Sequence, residues 1–487
     1  MMNTEFKYPP GAQKVDAVYS TDIGTYENNP LIAALQPSWS TEQIASALSW
    51  WPEYDPSCHA KDPDQRREWA EDLEDGFETM PKHVEILTGI LNKMRRTYQG
   101  RDRFVHGYTE QIRANAVELM GSQHGGVRMA STSNSLLVHG LPGTGKTSLA
   151  LRIGTLVPQI IDHTEFKGRP FPCRQITYLY IAAQQNWTDK ALAQAILREF
   201  DRVAGTDYSG PLRKGNASAF SYLMQFSIAA NNHGLGALII DEVQSLRDNA
   251  SLLDFAFNFS NTNKVLLVMV GTPESVQVLG QTPRFMRRAD AMFDTELKRY
   301  AFPQMDKASY NGMLQDENRA RDPWTWFLES FCHRQFTAKS KPFDYDISLT
   351  LFTKSVGIPH YAVKIFAGAQ QRRIGTDRDY LDCDALTEAY LACSKTSLEY
   401  LDLLREGKFI DLRKYADFAG VDLGKIAATN AANAKSGKKP QNHSEGESPP
   451  PAPVPTKPKP PTKDGPKVKP DPVGVDELPR AAGNDFL

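Results

Sequence analysis

Residues 139–150 read HGLPGTGKTSLA, following the apolar run SLLV at 135–138 and preceding the helix-forming LRI at 151–153. Positions 140 to 147 fit the pattern GxxxxGK[ST] completely, and the loop falls between a predicted strand and a predicted helix, the context its chemistry requires. Glycines at 140, 143 and 145 let backbone N–H groups curl around phosphate oxygens at a helix N-terminus. Gly140, Pro142, Gly143, Thr144, Gly145 and Ser148 are therefore expected to cradle phosphates. Lys146 would reach the β and γ phosphates and Thr147 would bind Mg²⁺.

Reading outward, residues 136–138, 176–181, 237–240 and 265–270 form apolar runs of strand length, and 146–156 and 189–203 carry helical patterns. Several of the strands are continuously apolar, as strands buried on both faces of a parallel sheet are. The run at 237–240 ends in Asp241-Glu242, about 95 residues after the loop. Many buried strands end in acids, but on a separate strand beyond such a loop this pair gains a role. Asp241 is expected to hold Mg²⁺ through its water shell, and Glu242 to orient and deprotonate an attacking water. A glutamate there predicts ATP hydrolysis, with ATP and Mg²⁺ as ligands.

The next strand runs into Gly271-Thr272-Pro273-Glu274. Thr272 could position the water or contact the γ-phosphate; the same residues also read as an ordinary turn. Downstream, Arg284-Phe285-Met286-Arg287-Arg288 is either a solvated basic face or the source of an arginine finger for a neighbouring subunit, with Arg287 and Arg288 preferred.

The chain has 487 residues, more than one core usually organises, and four regions are predicted. Residues 1–105 form an N-terminal helical extension. Ser40 to Gln43 offers a helix start, and Val84, Ile86, Leu87, Ile90, Leu91 and Met94 share a helical face that must dock on something. The aromatic link Trp50-Trp51-Pro52-Glu53-Tyr54 reads as a local packing knot. Residues 106–303 form the α/β core, and 304–433 a helical lid with C-terminal helices. Residues 434–487 hold 13 of the chain's 32 prolines interleaved with lysines, a composition that cannot offset its ordering entropy and predicts a disordered tether.

The net charge of -2 announces no bulk field for nucleic acid, so DNA binding needs other support. Five scattered cysteines without a CxxC pair argue against zinc and a disulfide framework, and fit a reducing compartment. With no apolar signal core and no membrane-length run, a cytoplasmic protein without membrane association is expected.

Taken together, GLPGTGKT at 140–147, ITYLYIAA at 176–183, REFDRVAGTDYSG at 198–210, ALIIDEVQSL at 237–246, VLLVMVGTPES at 265–275 and GIPHYAVKIFAGAQQRRI at 357–374 resemble the AAA+ ATPases of the initiator and transposition-regulator branch. Within that branch they look like the TnsC-like regulators of Tn-seven-like bacterial transposons, over about residues 105 to 375. The resemblance implies an α/β; AAA+ P-loop ATPase core, a parallel sheet sandwiched by helices, with a small helical lid domain.

It further implies a homo-oligomer, ring or helical filament, around double-stranded DNA. That assembly would link a target-selection protein to the transposase, with hydrolysis driving disassembly, in a DNA-associated cytoplasmic location. Channel-facing loops of the family map onto Gln185, Trp187 and Lys190, and onto Arg213 and Lys214, which would contact phosphate without reading bases. The plain alternative is that these are surface cations and a core tryptophan. The C-terminal tail would capture transposase subunits, the proline tether raising their local concentration, and the N-terminal helices would meet the target-selection protein.

One departure stands out: where relatives often place an arginine three residues after the lid glycine, Gly357 is followed by His360, with Lys364 one turn later. Two other readings remain. A remodelling motor would need an aromatic-apolar-glycine pore loop, and none follows the second core strand. A nucleotide switch acting on protein partners would need no DNA.

Overall fold

The computed structural model describes residues 11–20, 27–35, 39–99, 101, 103–104, 110, 135–185, 187–213, 215–247, 250–280, 294–316 and 318–408. All lie in the first of two compact units, Met1–Ala432; the second, Asn433–Leu487, which holds the proline-rich tail, is outside the described residues.

Among the described residues the strands are β1 (Lys14–Asp16), β2 (Ser135–Gly140), β3 (Ile160–Phe166), β4 (Arg169–Ile176), β5 (Tyr178–Ala182), β6 (Ala237–Asp241), β7 (Leu266–Gly271) and β8 (Glu296–Leu297). Five of them form a sheet in the order β5-β6-β7-β2-β8, with every neighbouring pair parallel. β6 and β7 are buried along their whole length, which is why their sequences do not alternate.

One face of the sheet is covered by the helices Asp189–Ala204, Ala219–Asn232 and Ala250–Asn263, where Phe226 stacks on Phe259 at 4.6 Å. The other face is covered by the helix Pro81–Gln99, whose buried Ile90, Met94 and Tyr98 share a core with Ile239, Val268 and Val270. The helical face predicted near the N-terminus therefore docks on the chain's own sheet. Each aliphatic side chain buried there contributes about 1.5–3 kcal/mol.

Two local readings differ from the structure. The run 176–181 is not one strand: Ile176 ends β4 and Tyr178 begins β5. Between them the buried Thr177 donates its N–H to Gln159 O and its hydroxyl to Pro158 O. β3 and β4 form an antiparallel hairpin, and β1 pairs parallel to β3, making a second, three-stranded sheet. Its turn residues Lys167 and Gly168 both have positive φ, matching a tight hairpin turn. The helix read over 146–156 is interrupted at Arg152, where ψ falls to -2°. The Arg152 guanidinium donates to Leu48 O at 2.8 Å and lies 4.3 Å from the Phe77 ring centre.

After β8 the helices Pro323–Cys332, Tyr345–Ser355, Pro359–Arg373, Cys383–Leu391 and Lys395–Arg405 share a third core. Cys58, Ala70, Leu73 and Met80 from the N-terminal region belong to it as well. Trp51 packs its ring 5.3 Å from Phe331 and Tyr54 lies 5.6 Å from Phe336, while Trp50 is half exposed. No helix among the described residues is long and apolar enough to cross a membrane.

His83 opens the helix Pro81–Gln99, accepting Met80 N–H on Nδ1 at 3.2 Å, with its ring 5.1 Å from Phe77. Burial pushes its pKa down to about 4. An unfolded histidine titrates near 6.5, so between these values the unfolded chain binds a proton that the folded chain refuses. The stability at stake is full above about pH 6.5 and is lost as pH falls toward 4, by about 2 kcal/mol at pH 5. Urea midpoints at pH 7 and pH 5 test this: His83→Gln should lose less stability between the two than wild type, and an equal loss refutes it.

Candidate nucleotide site

The site is built from the carboxyl ends of the parallel strands. β2 ends at Gly140, the chain turns through Gly143 and Gly145 at φ of 82° and 87°, and the next helix starts at Lys146. Gly140 is required by packing, since a Cβ there would lie 2.3 Å from Leu297 O of β8. At Gly143 a Cβ would meet Ile358 at 2.9 Å, and the carbonyl of Gly143 accepts His360 N–H at 3.2 Å. The lid is thus seated directly on the loop.

Within the loop, Thr144 Oγ1 and Lys146 Nζ both donate to Leu141 O, at 2.8 and 2.9 Å. Thr147 Oγ1, in the helix that follows β2, donates to Asp241 Oδ2 at the end of β6 at 2.7 Å, although β7 lies between β2 and β6 in the sheet. Tyr180 of β5 donates its phenol to the same oxygen at 2.8 Å. Burial and the Asp241 carboxylate both push the Tyr180 pKa up, so it stays a neutral donor. A hydroxyl and a carboxylate in contact at the start of a phosphate-loop helix are the oxygen donors that Mg²⁺ prefers.

Glu242 has a left-handed backbone, φ 57°, at a cost of roughly 1–2 kcal/mol for a residue with a Cβ. Its N–H donates to Asp241 Oδ1 at 2.8 Å, and its carbonyl accepts Ser245 N–H at 2.8 Å. Beyond β7, Thr272 is buried, and its carbonyl accepts Ser275 Oγ at 2.6 Å.

The phosphate loop, Glu242 and Thr272 converge on one cavity of about 340 Å³, within the size range of small-molecule sites. Residues 142–148, Glu242 and Thr272 line it from the core. The N-terminal region adds Phe77, Glu78 and His83, and the lid side adds Tyr300, Phe327 and His360. Glu78 accepts the Trp51 indole N–H on Oε2 at 3.0 Å and the Trp326 indole N–H on Oε1 at 3.1 Å. One carboxylate therefore joins the N-terminal region to the lid at the cavity.

None of Phe77, Glu78, His83, Tyr300 and Phe327 was anticipated; they share no motif and meet only in the fold. At the lid position where relatives often carry arginine, His360 lines the cavity and Lys364 is exposed. His360 is itself exposed overall; partial desolvation of its ring, then the nearby Lys364 charge, lowers its pKa.

The other expected residues are placed apart from this cavity. Gln185 is exposed, Trp187 packs half-buried against the sheet core, and Lys190 is half-buried in the first turn of the helix Asp189–Ala204. Arg213 is exposed and ion-paired with Asp207. Lys214, Arg287 and Arg288 lie outside the described residues.

A parallel sheet in which one strand separates the phosphate-loop strand from the acid-bearing strand, flanked by helices and seated under a helical unit, is the AAA+ P-loop fold. In sequence, residues 128–279 match the family described as AAA domain. Among solved structures, the ORC2 protein of Aeropyrum pernix in its ADP form matches at 16% identity and TM-score 0.32, covering 70% of this chain and 83% of that one. The Aeropyrum pernix ORC1 protein in complex with DNA matches at 16% identity and TM-score 0.30, covering 69% and 74%. The FIGL-1 AAA domain in complex with ADP matches at 14% identity and TM-score 0.26, covering 62% and 88%. No curated protein sequence matches the chain.

Proposed function

We propose that the chain is an ATP-dependent, DNA-binding transposition regulator. It assembles as a homo-oligomer on double-stranded DNA, links a target-selection protein to the transposase, and uses ATP hydrolysis to control disassembly. The observation that carries its ATPase part is the meeting of the phosphate loop, Glu242 and Thr272 around one cavity under the lid, with Asp241 bonded to the loop's Thr147 behind its wall. In this reading the loop backbone and Lys146 hold the phosphates, and Thr147 and Asp241 hold Mg²⁺. Glu242 takes the proton of the attacking water, with Thr272 beside it. Bound Mg²⁺ would neutralise charge developing on the phosphates. The assignment to transposition rests on the motif resemblance across residues 105 to 375, and the tail at 434–487 would be the transposase-capturing segment.

Cosedimentation with plain duplex DNA tests the nucleotide gate. Wild type should pellet with DNA when ATP is present, whereas Lys146→Ala should stay in the supernatant. Equal pelleting of the two proteins would refute nucleotide-gated assembly. A second reading, a nucleotide switch acting on protein partners without DNA, is favoured by two placements: Arg213 is engaged by Asp207, and Trp187 packs against the core. ATP-dependent self-association that is indifferent to added DNA would support that reading.

A further inference from the structure

We propose that Gln244 is a positioning residue for hydrolysis: its side-chain amide orients the Glu242 carboxylate and ties it to the tip of β7 at Thr272. The proposal rests on the reading of Glu242 as the base in ATP hydrolysis.

Gln244 is buried in the short turn Val243–Leu246 that follows the acid pair. Its Oε1 accepts the backbone N–H of Thr272 at 3.2 Å, and its Nε2 donates to Glu242 Oε2. The two contacts fix the amide's orientation, because a backbone N–H must face the oxygen, which leaves the NH₂ group for the carboxylate. Gln244 does not itself line the cavity, so it acts through Glu242.

The surroundings are shaped to admit this amide. A Cβ at Gly271 would lie 2.7 Å from Gln244 Oε1 and 2.8 Å from Ser275 Cβ, so the absence of a side chain at the end of β7 opens the path. The left-handed backbone of Glu242 persists only where neighbouring contacts hold it, and the Gln244 amide clamps the side-chain end of that same residue. A donor fixed on one carboxylate oxygen sets the direction in which the other is presented. Because the amide's far end is bonded to the backbone of Thr272, which lines the cavity, a shift of the β7 tip is transmitted to Glu242. The tether makes the presentation of the base depend on what occupies the cavity beside Thr272.

The test uses full-length Gln244→Leu and Gln244→Glu, with ATP turnover and ATP affinity measured separately. Leucine keeps the bulk without the donor; glutamate keeps the shape but places a carboxylate against Glu242. Misplacing a catalytic group by about 1 Å costs up to about 100-fold, so kcat should fall between about 10- and 100-fold in both variants. ATP affinity should change by less than about 3-fold, since binding and turnover separate when only the catalytic group is misplaced. Gln244→Asn, with a shorter amide, should recover part of the loss.

Unchanged kcat in both variants overturns the proposal, as does a loss of ATP affinity in step with kcat, which would mark a structural residue. Failure of the underlying reading looks different: wild type would hydrolyse no ATP, or Glu242→Gln would turn over as fast as wild type. Sensitivity to Glu242→Gln without sensitivity at Gln244 removes only the role of Gln244.

Discussion

Glu242→Gln should lower ATP turnover between about 100- and 10,000-fold, the range a positioned general base supplies, while leaving ATP binding intact. The substitution is close to isosteric. An amide oxygen at residue 242 can still accept from the Gln244 NH₂ group, and the backbone contact to Asp241 Oδ1 does not involve the changed atoms. What is lost is the ability to take a proton from water. If hydrolysis times disassembly, the variant should also persist on duplex DNA in ATP far longer than wild type. Dissociation rates after dilution read this directly, and rapid release by Glu242→Gln would remove Glu242 from that role. Retained turnover would be a more basic refutation, because it would leave Glu242 with no part in the chemistry.

The phosphate loop and the acid pair are legible in the amino-acid sequence because their chemistry needs neighbouring residues of fixed type: glycines within a few positions of Lys146, and two acids at the end of an apolar run. The parallel sheet is legible for a related reason, since strands buried on both faces lose their alternation. The hairpin of β3 and β4 escapes that logic. Pro170 and Pro172 within β4 break the strand pattern in its sequence, and its partner β3 pairs on the other side with the distant β1.

Residues that hold the site's carboxylates in place escape it for a stronger reason. Tyr180 meets Asp241 from 61 positions away, and Trp326 meets Glu78 from 248. Nothing local distinguishes Glu78 from the acids around it. Even Gln244, only two residues from Glu242, reads as part of an ordinary turn until Gly271 is seen to leave room for it.

The N-terminal region does more than extend the core. Its helix Pro81–Gln99 is buried against the sheet, while the segment before it joins the core of the lid helices. Phe77 and Glu78 between them, with His83 from the first turn of that helix, line the cavity. Core and lid are therefore held together by one continuous stretch of chain that passes along the nucleotide site.

Asp379→Ala tests that coupling and should be the most destabilising change in the lid. Arg66, in the helix Pro63–Glu71, is 4% exposed and donates to Asp379 through both terminal nitrogens, at 2.9 and 3.3 Å. It also donates to Phe336 O and Lys61 O. Asp379 in turn accepts the N–H groups of Ala338 and Gly375. Removing one partner of a buried pair strands the other charge, at a cost of about 3–5 kcal/mol. Arg66→Leu should cost a similar amount, and the double variant should cost less than the sum of the two, because no charge is left unpaired. Urea unfolding of the three variants measures these values; additive losses would show that the two residues act independently. Since Tyr300, Phe327 and His360 line the cavity from the side this pair secures, the single variants should also bind ATP more weakly when still folded. Unchanged ATP affinity in a folded but destabilised Asp379→Ala would separate the pair's structural role from the site and refute the coupling.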